Sequence, residues 1–412
     1  LFEEAIGYKV NFVQDNESSY CKFGTILHIM TRTSHFGLIT VFSFVFLYFI
    51  ARLLFPFADE PDWTVRAPYV LFGEHLIWSP YYLFSEWFNY LDINESRCQI
   101  DAGALTLWAT ISASCSDGLI QIIVRWTTTL IILSPMFLIV IFRGWFIKFS
   151  NTFNLKLSDK EWNLRIDSLA ISMIFPGVIY YLGVLSVEQL HLAVALYIFL
   201  FWGFWLPVLG LFAILLSIDF GNSIVVLSFI LLMIIFTRIR QLKRTWFFLG
   251  LLSLISFAWI LGYQLLDMFV QLDFLPDNFL SKSKAMSDAF NTSELLTKYP
   301  VFLRPVITFM TFIFMTPAGI KVPLMYILFG LFTLILSLKV FKSRNSNIEI
   351  FWFVPMSIIL FFTFLFPTYA NAKYYIFMMP FFIYATLRYY SRKSILILFF
   401  LSSFFVFFSL IM

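Results

Sequence analysis

The chain has 412 residues, of which 60% are hydrophobic and 21% aromatic, with 55 phenylalanines. Only 13% are charged and the net charge is +4, about half the charged share of an ordinary soluble domain. Such a composition excludes a soluble enzyme, a disordered chain and a nucleic-acid binder, and predicts one polytopic, all-α integral membrane domain.

A membrane helix needs about 20 apolar residues. Residues 1–35 form an N-terminal segment ahead of the first apolar run, and residues 36–412 form the transmembrane domain. In chain order the apolar runs cover 36–55, 126–142, 166–185, 190–218, 223–237, 246–266, 324–338, 351–366, 374–389 and 394–412. Basic residues assign the sides. Four clusters read as cytoplasmic: Arg143, Lys148, Lys156, Lys160 and Arg165 in one loop; Arg238, Arg240, Lys243 and Arg244; Lys339, Lys342 and Arg344; and Arg388, Arg392 and Lys393. The N-terminus is then cytoplasmic as well.

This parity makes 56–125 a long extracytoplasmic loop and 267–322 a second large one, within which 301–315 is re-entrant or interfacial. It also requires 190–218 to be two short helices hinged near Gly203 and Pro207. The total is about 11 spans. Trp78, Tyr81, Trp87 and Phe88 interleave with Glu74, His75 and Glu86, so the first loop is expected to hold interfacial helices at headgroup level. Cys21, Cys98 and Cys115 lack metal spacing; Cys98 and Cys115 can pair if their loop faces an oxidising compartment.

Just beyond the first span the chain reads Phe57-Ala58-Asp59-Glu60-Pro61-Asp62-Trp63. Carboxylates at a bilayer edge are costly unless hydrated or used. Asp59 is a candidate general base toward a hydroxyl, and Asp59 with Glu60 would be the ligands of a divalent cation (Mg2+ or Mn2+) if one is used. The plainer reading is a solvated loop in which Asp59 or Asp62 caps the next helix. Trp63, Glu74, His75 and Tyr82 are candidates to line the same site, although a histidine beside a carboxylate is ordinarily a hydrogen-bonded surface residue. Near the C-terminus, Lys373-Tyr374 lies in a short turn that parity places on the outer side, where Lys373 breaks the positive-inside pattern. It is either a snorkelling side chain or a cation that holds a phosphate beside the membrane. Arg304 and Arg66 are weaker candidates for that task. Arg52, Glu188 and His191 read as helix-end or paired structural residues. No Walker sequence, zinc-type spacing or nucleophile elbow occurs, so ATP-driven transport has no support.

Taken together, Asp59-Glu60 after the first span, Gly73-Glu74-His75 and Ser79-Pro80-Tyr81-Tyr82 further on, and Lys373-Tyr374 with Pro380 in the penultimate hairpin resemble the GT-C superfamily of polytopic glycosyltransferases. The nearest likeness is to bacterial members of the protein-mannosyltransferase and aminoarabinose-transferase type. Those often show Asp-Glu, then His-Pro-Pro-Leu-Tyr, then Arg-Tyr-x-x-Pro-x-x-Pro. This chain departs from the pattern: Ser79 to Tyr82 stands where the histidine-led motif is expected, Lys373 replaces arginine, and Phe377 replaces the first proline. A large soluble C-terminal domain like that of some members is not expected.

The resemblance implies a polyprenyl-phosphate or -diphosphate sugar donor and an acceptor hydroxyl on a glycan, lipid or protein, meeting on the outer face of a bacterial inner membrane. It makes Asp59 the base, has Glu60 orient the acceptor or a metal, and sets Lys373 on the donor phosphate. The competing readings are an O-antigen or capsule-type polymerase or ligase that uses diphosphate-linked glycans, and a flippase for lipid-linked sugars.

Overall fold

The structure is a computed structural model that describes residues 34–54, 118–153, 155, 157–183, 187–218, 220–239, 250, 253, 346–365 and 372–409. Among them every regular element is helical. The elements are α1 (His35–Leu54), α2 (Gly118–Ile141), α3 (Arg143–Thr152), α4 (Asp159–Met173), α5 (Pro176–Gly183), α6 (Val187–Leu200), α7 (Trp205–Ile218), α8 (Phe220–Ile239), α9 (Ser346–Leu365), a 3-10 helix (Ala372–Met378), α10 (Met379–Thr386) and α11 (Arg392–Ser409). The expected spans at 246–266 and 324–338, and nearly all of both large outer loops, lie outside the described residues.

Local chemistry explains several boundaries. Ser158 caps α4, its side chain accepting from the Glu161 N–H at 3.2 Å. Ile174 and Phe175 leave the helix just before Pro176, which lacks an N–H and disfavours helical geometry in the preceding residue. The result is a 74° bend between α4 and α5. The stretch 190–218 splits as the sequence leads one to expect. Gly203 sits at φ 95, a left-handed conformation suited to glycine, and α7 starts two residues later with Pro207 in its first turn.

Two expectations change. The segment 143–165, read as a basic loop, is mostly helical: it comprises α3, set at 88° to the end of α2, and the first half of α4. The stretch 374–389, read as one helix, starts as a 3-10 helix and becomes α-helical only at Met379, with Pro380 in the first turn where no helical N–H partner is needed.

Helix α4 lies among α1, α2, α6, α10 and α11. The core is largely aromatic. Phe381 of α10 is ringed by Phe199 of α6 (4.8 Å between centroids), Phe229 of α8 (4.8 Å), Trp202 of the hinge (5.5 Å) and Phe351 of α9 (5.9 Å). Three of these contacts are edge-to-face, the arrangement that aligns a ring's positive edge with a negative face. Helices α1 and α2 meet backbone to backbone: a Cβ placed on Gly37 would collide with the Val140 carbonyl oxygen. The outward faces are apolar. Phe42, Leu206, Leu209 and Ile397 are 74%, 84%, 62% and 59% exposed. Over the described side chains no single helix is long and apolar enough to cross a membrane, whereas two bent pairs, within α2–α3 and α4–α5, pass by length and composition.

One end of the bundle is held by charge. Glu161 accepts from Tyr384 Oη at 2.6 Å and pairs with Arg388 at 3.2 Å and Arg165 at 3.4 Å. Arg165 is buried and also donates to the Leu200 and Trp202 carbonyls at 3.0 and 2.6 Å, filling acceptors left open at the end of α6. Asp167, also buried, pairs with Arg143 at 2.9 Å and Arg392 at 3.3 Å. Breaking a buried pair leaves its partners uncompensated and costs on the order of 3 kcal/mol. Asp167→Asn is therefore expected to lower the melting temperature in detergent by several degrees. Asp159→Asn, at an exposed position on the same helix, is expected to change it little. Equal melting temperatures for the two variants would show that the network does not hold the bundle.

Candidate functional site

The chain path separates two ends. Arg165 holds the end of α6 beside the carboxylates, so the start of α6 lies at the opposite end. Buried Gln189 fixes that start. Its amide donates to Thr129 Oγ1 of α2 at 2.9 Å and to the Leu182 carbonyl of α5. Two and three residues further along, His191 and Leu192 meet Tyr181 of α5, Asn222 at the start of α8, and the 3-10 helix. A small cleft opens between these elements, lined on the 3-10 side by Lys373, Tyr374 and Phe377.

The 3-10 geometry matters to this lining. Residues three apart eclipse in a 3-10 helix, so Tyr374 and Phe377 share a face, with Lys373 beside them. Lys373 is half-buried, with Nζ 5.3 Å from the Tyr374 ring centroid, within the range in which a ring face attracts a cation. His191 is only 6% exposed, and its Nε2 lies 3.5 Å from Ser223 Oγ of α8. The lining thus combines an ammonium, an imidazole, a carboxamide and two phenols with the apolar side chains of Leu192 and Phe377. Those groups supply hydrogen-bond donors and positive charge for an anion, beside an apolar surface for whatever carries it.

Of the residues singled out in the sequence, Lys373 and Tyr374 lie in this cleft. Asp59, Glu60, Trp63, Arg66, Glu74, His75, Tyr82 and Arg304 lie outside the described residues. His191, Asn222 and Tyr181 were missed as site residues. The signal was polarity at the edges of apolar runs: Gln189 and His191 stand at the start of one such run and Asn222 just before the next. Among the described residues no three His, Cys, Asp or Glu side chains gather as a metal site.

Comparison with protein-family models, with curated proteins and with solved structures finds no match to this chain.

The convergence of α8 and the 3-10 helix can be checked chemically. With Cys21, Cys98 and Cys115 replaced by serine, Asn222→Cys and Lys373→Cys together are expected to be bridged by a short bis-maleimide. Asn222→Cys with Lys393→Cys, at the carboxylate end, is expected to stay unbridged. The opposite pattern would dissolve the cleft.

Proposed function

We propose that the chain is a multi-pass membrane glycosyltransferase that moves a sugar from a polyprenyl-phosphate or -diphosphate carrier to an acceptor hydroxyl on the extracytoplasmic side. The observation that carries this reading is the place of Lys373: a cleft with His191 and Asn222, at the end of the bundle away from Arg143, Arg165, Arg388 and Arg392. By the positive-inside rule the arginine end faces the cytoplasm, and Lys373 then faces outward.

Helix α1 supports the same assignment for Asp59. It starts at the arginine end, where the Ser34 N–H donates to the Ile141 carbonyl at 3.2 Å and Arg392 lies over the Phe36 ring at 4.8 Å. Its far terminus, Leu54, comes a few residues before Asp59. The exposed apolar faces of α1, α7 and α11 suit contact with lipid.

In this reading the acceptor oxygen attacks the anomeric carbon while the bond from that carbon to the phosphate oxygen breaks. The electron pair leaves on the phosphate, where Lys373 meets the developing charge. Asp59 takes the acceptor's proton, and Glu60 orients the acceptor. The phosphate leaves as an anion and needs little acid help. Binding energy spent at the phosphate also fixes the reacting carbon relative to the acceptor.

In proteoliposomes supplied with a lipid-linked sugar and an acceptor, Asp59→Asn is expected to lower transfer by about 100-fold or more while the protein still folds. Lys373→Ala is expected to weaken donor binding about tenfold. Undiminished transfer by Asp59→Asn rules out the base, and unchanged donor affinity in Lys373→Ala removes that residue from the site. Flux of the lipid-linked sugar across the bilayer without product would favour a transporter.

A further inference from the structure

We infer that the cleft at the outer end of α6 is a phosphate-anion site whose strength is set by the protonation of His191. The inference rests on the reading of Lys373 as the holder of the donor phosphate, but not on sugar transfer itself.

The geometry leads there in three steps. First, His191 is buried on α6, and it lies in the wall of the same cleft as Lys373. A buried polar side chain is costly unless it is partnered, and its imidazole is placed to partner both Ser223 and an occupant of the cleft. Second, the imidazole is the one lining group whose ordinary charge change falls within the physiological pH range; the lysine and the two tyrosines beside it titrate far above it. Third, the other groups around it whose side chains the structure describes do not change charge in that range, and Glu188 precedes His191 by three residues on α6. Tyr181 faces the cleft from α5, Asn222 and Ser223 from α8, and Lys373 and Tyr374 from the 3-10 helix. Helix α2 brings Thr129, beside Gln189. Helix α7 carries no titratable residue. The charged groups of α4 and the Tyr384 hydroxyl of α10 sit at the far end, with Glu161.

The ligand chemistry is a phosphate bearing at least one fixed negative charge. Leu192 and Phe377, on the cleft wall, suit the apolar side of a lipid head, whereas the donors alone suit a free phosphate. When the imidazole is protonated, two cations meet the anion. When it is neutral, Lys373 remains with weaker dipoles. Affinity is therefore highest at low pH and falls as pH rises through the imidazole titration.

The test is binding of a farnesyl phosphodiester of a hexose to the purified full chain, between about pH 5.5 and about pH 8.5. A diester is the right probe because its single charge stays constant across that range, unlike a monoester, whose second proton leaves near pH 6. Wild type is expected to bind about tenfold more tightly at the acid end. His191→Gln keeps hydrogen bonding but cannot charge, so it is expected to bind weakly with a flat profile; His191→Asn serves the same purpose if the first variant fails to fold. Lys373→Gln is expected to bind more weakly at every pH while keeping the slope. A flat wild-type profile, or a wild-type slope in the histidine variants, overturns the inference.

Competition at one fixed pH separates the sources. Displacement by unlabelled diester alone supports a lipid-head site, displacement also by inorganic phosphate supports a free-phosphate site, and displacement by neither overturns both. If the slope is present but no sugar is ever transferred, the anion site stands and the transferase reading falls. If transfer proceeds without the slope, only the anion-switch inference falls.

Discussion

A carboxylate withdrawn from water needs cations and hydrogen-bond donors within reach, and this bundle supplies them for Glu161 and Asp167 from three separate parts of the chain. Arg143 follows α2, Arg165 lies on α4 itself, and Arg388 and Arg392 bracket the turn between α10 and α11. Because Arg165 also holds the Leu200 and Trp202 carbonyls, the end of α6 is pinned to the same place. With those termini fixed at one end, the helices that leave them must carry their other termini to the opposite end. The polarity of the bundle follows from the charge network, and the location of the cleft follows from that polarity.

The distance between the two ends is set by simple helix arithmetic. From Lys373 to Arg388 the chain runs through the 3-10 helix and then α10, at about 2.0 Å and about 1.5 Å per residue, a rise of roughly 25 Å. That is close to the thickness of a bilayer's hydrocarbon core, about 30 Å. The intervening Phe381 cluster holds α6, α8, α9 and α10 around one ring, so the segment between the charged end and the cleft is a packed aromatic column. A cation at one end and a salt-bridged cluster at the other are then separated by apolar protein, which keeps the two electrostatic environments independent.

Much of the helical frame can be read from the sequence, since apolar length and helix breakers are local properties. The run at 36–55 corresponds to α1 at His35–Leu54, and Gly203 with Pro207 marks the break between α6 and α7. Pro176 also stood in plain view, yet the uniform hydropathy around it concealed the bend between α4 and α5. What the sequence could not convey is tertiary. Arg165 reads as a loop cation by the charge of its neighbours, and only packing against the end of α6 makes it a buried tie. His191, Asn222 and Lys373 are far apart in the chain, and no spacing rule joins them. Their meeting depends on three segment ends being brought to the same place. Lys373 stood out in the sequence because a lone cation away from the basic clusters is conspicuous without any knowledge of contacts.

We propose that Lys373 and its neighbours hold the anionic head of an isoprenoid carrier. Native mass spectrometry of the protein released from mild detergent tests it most directly, by identifying the lipid that stays bound. An isoprenyl phosphate or diphosphate is expected to stay with the wild-type chain and to be lost from the Lys373→Ala variant. Retention of the same lipid by both proteins, or a bound lipid with no phosphate at all, would contradict it.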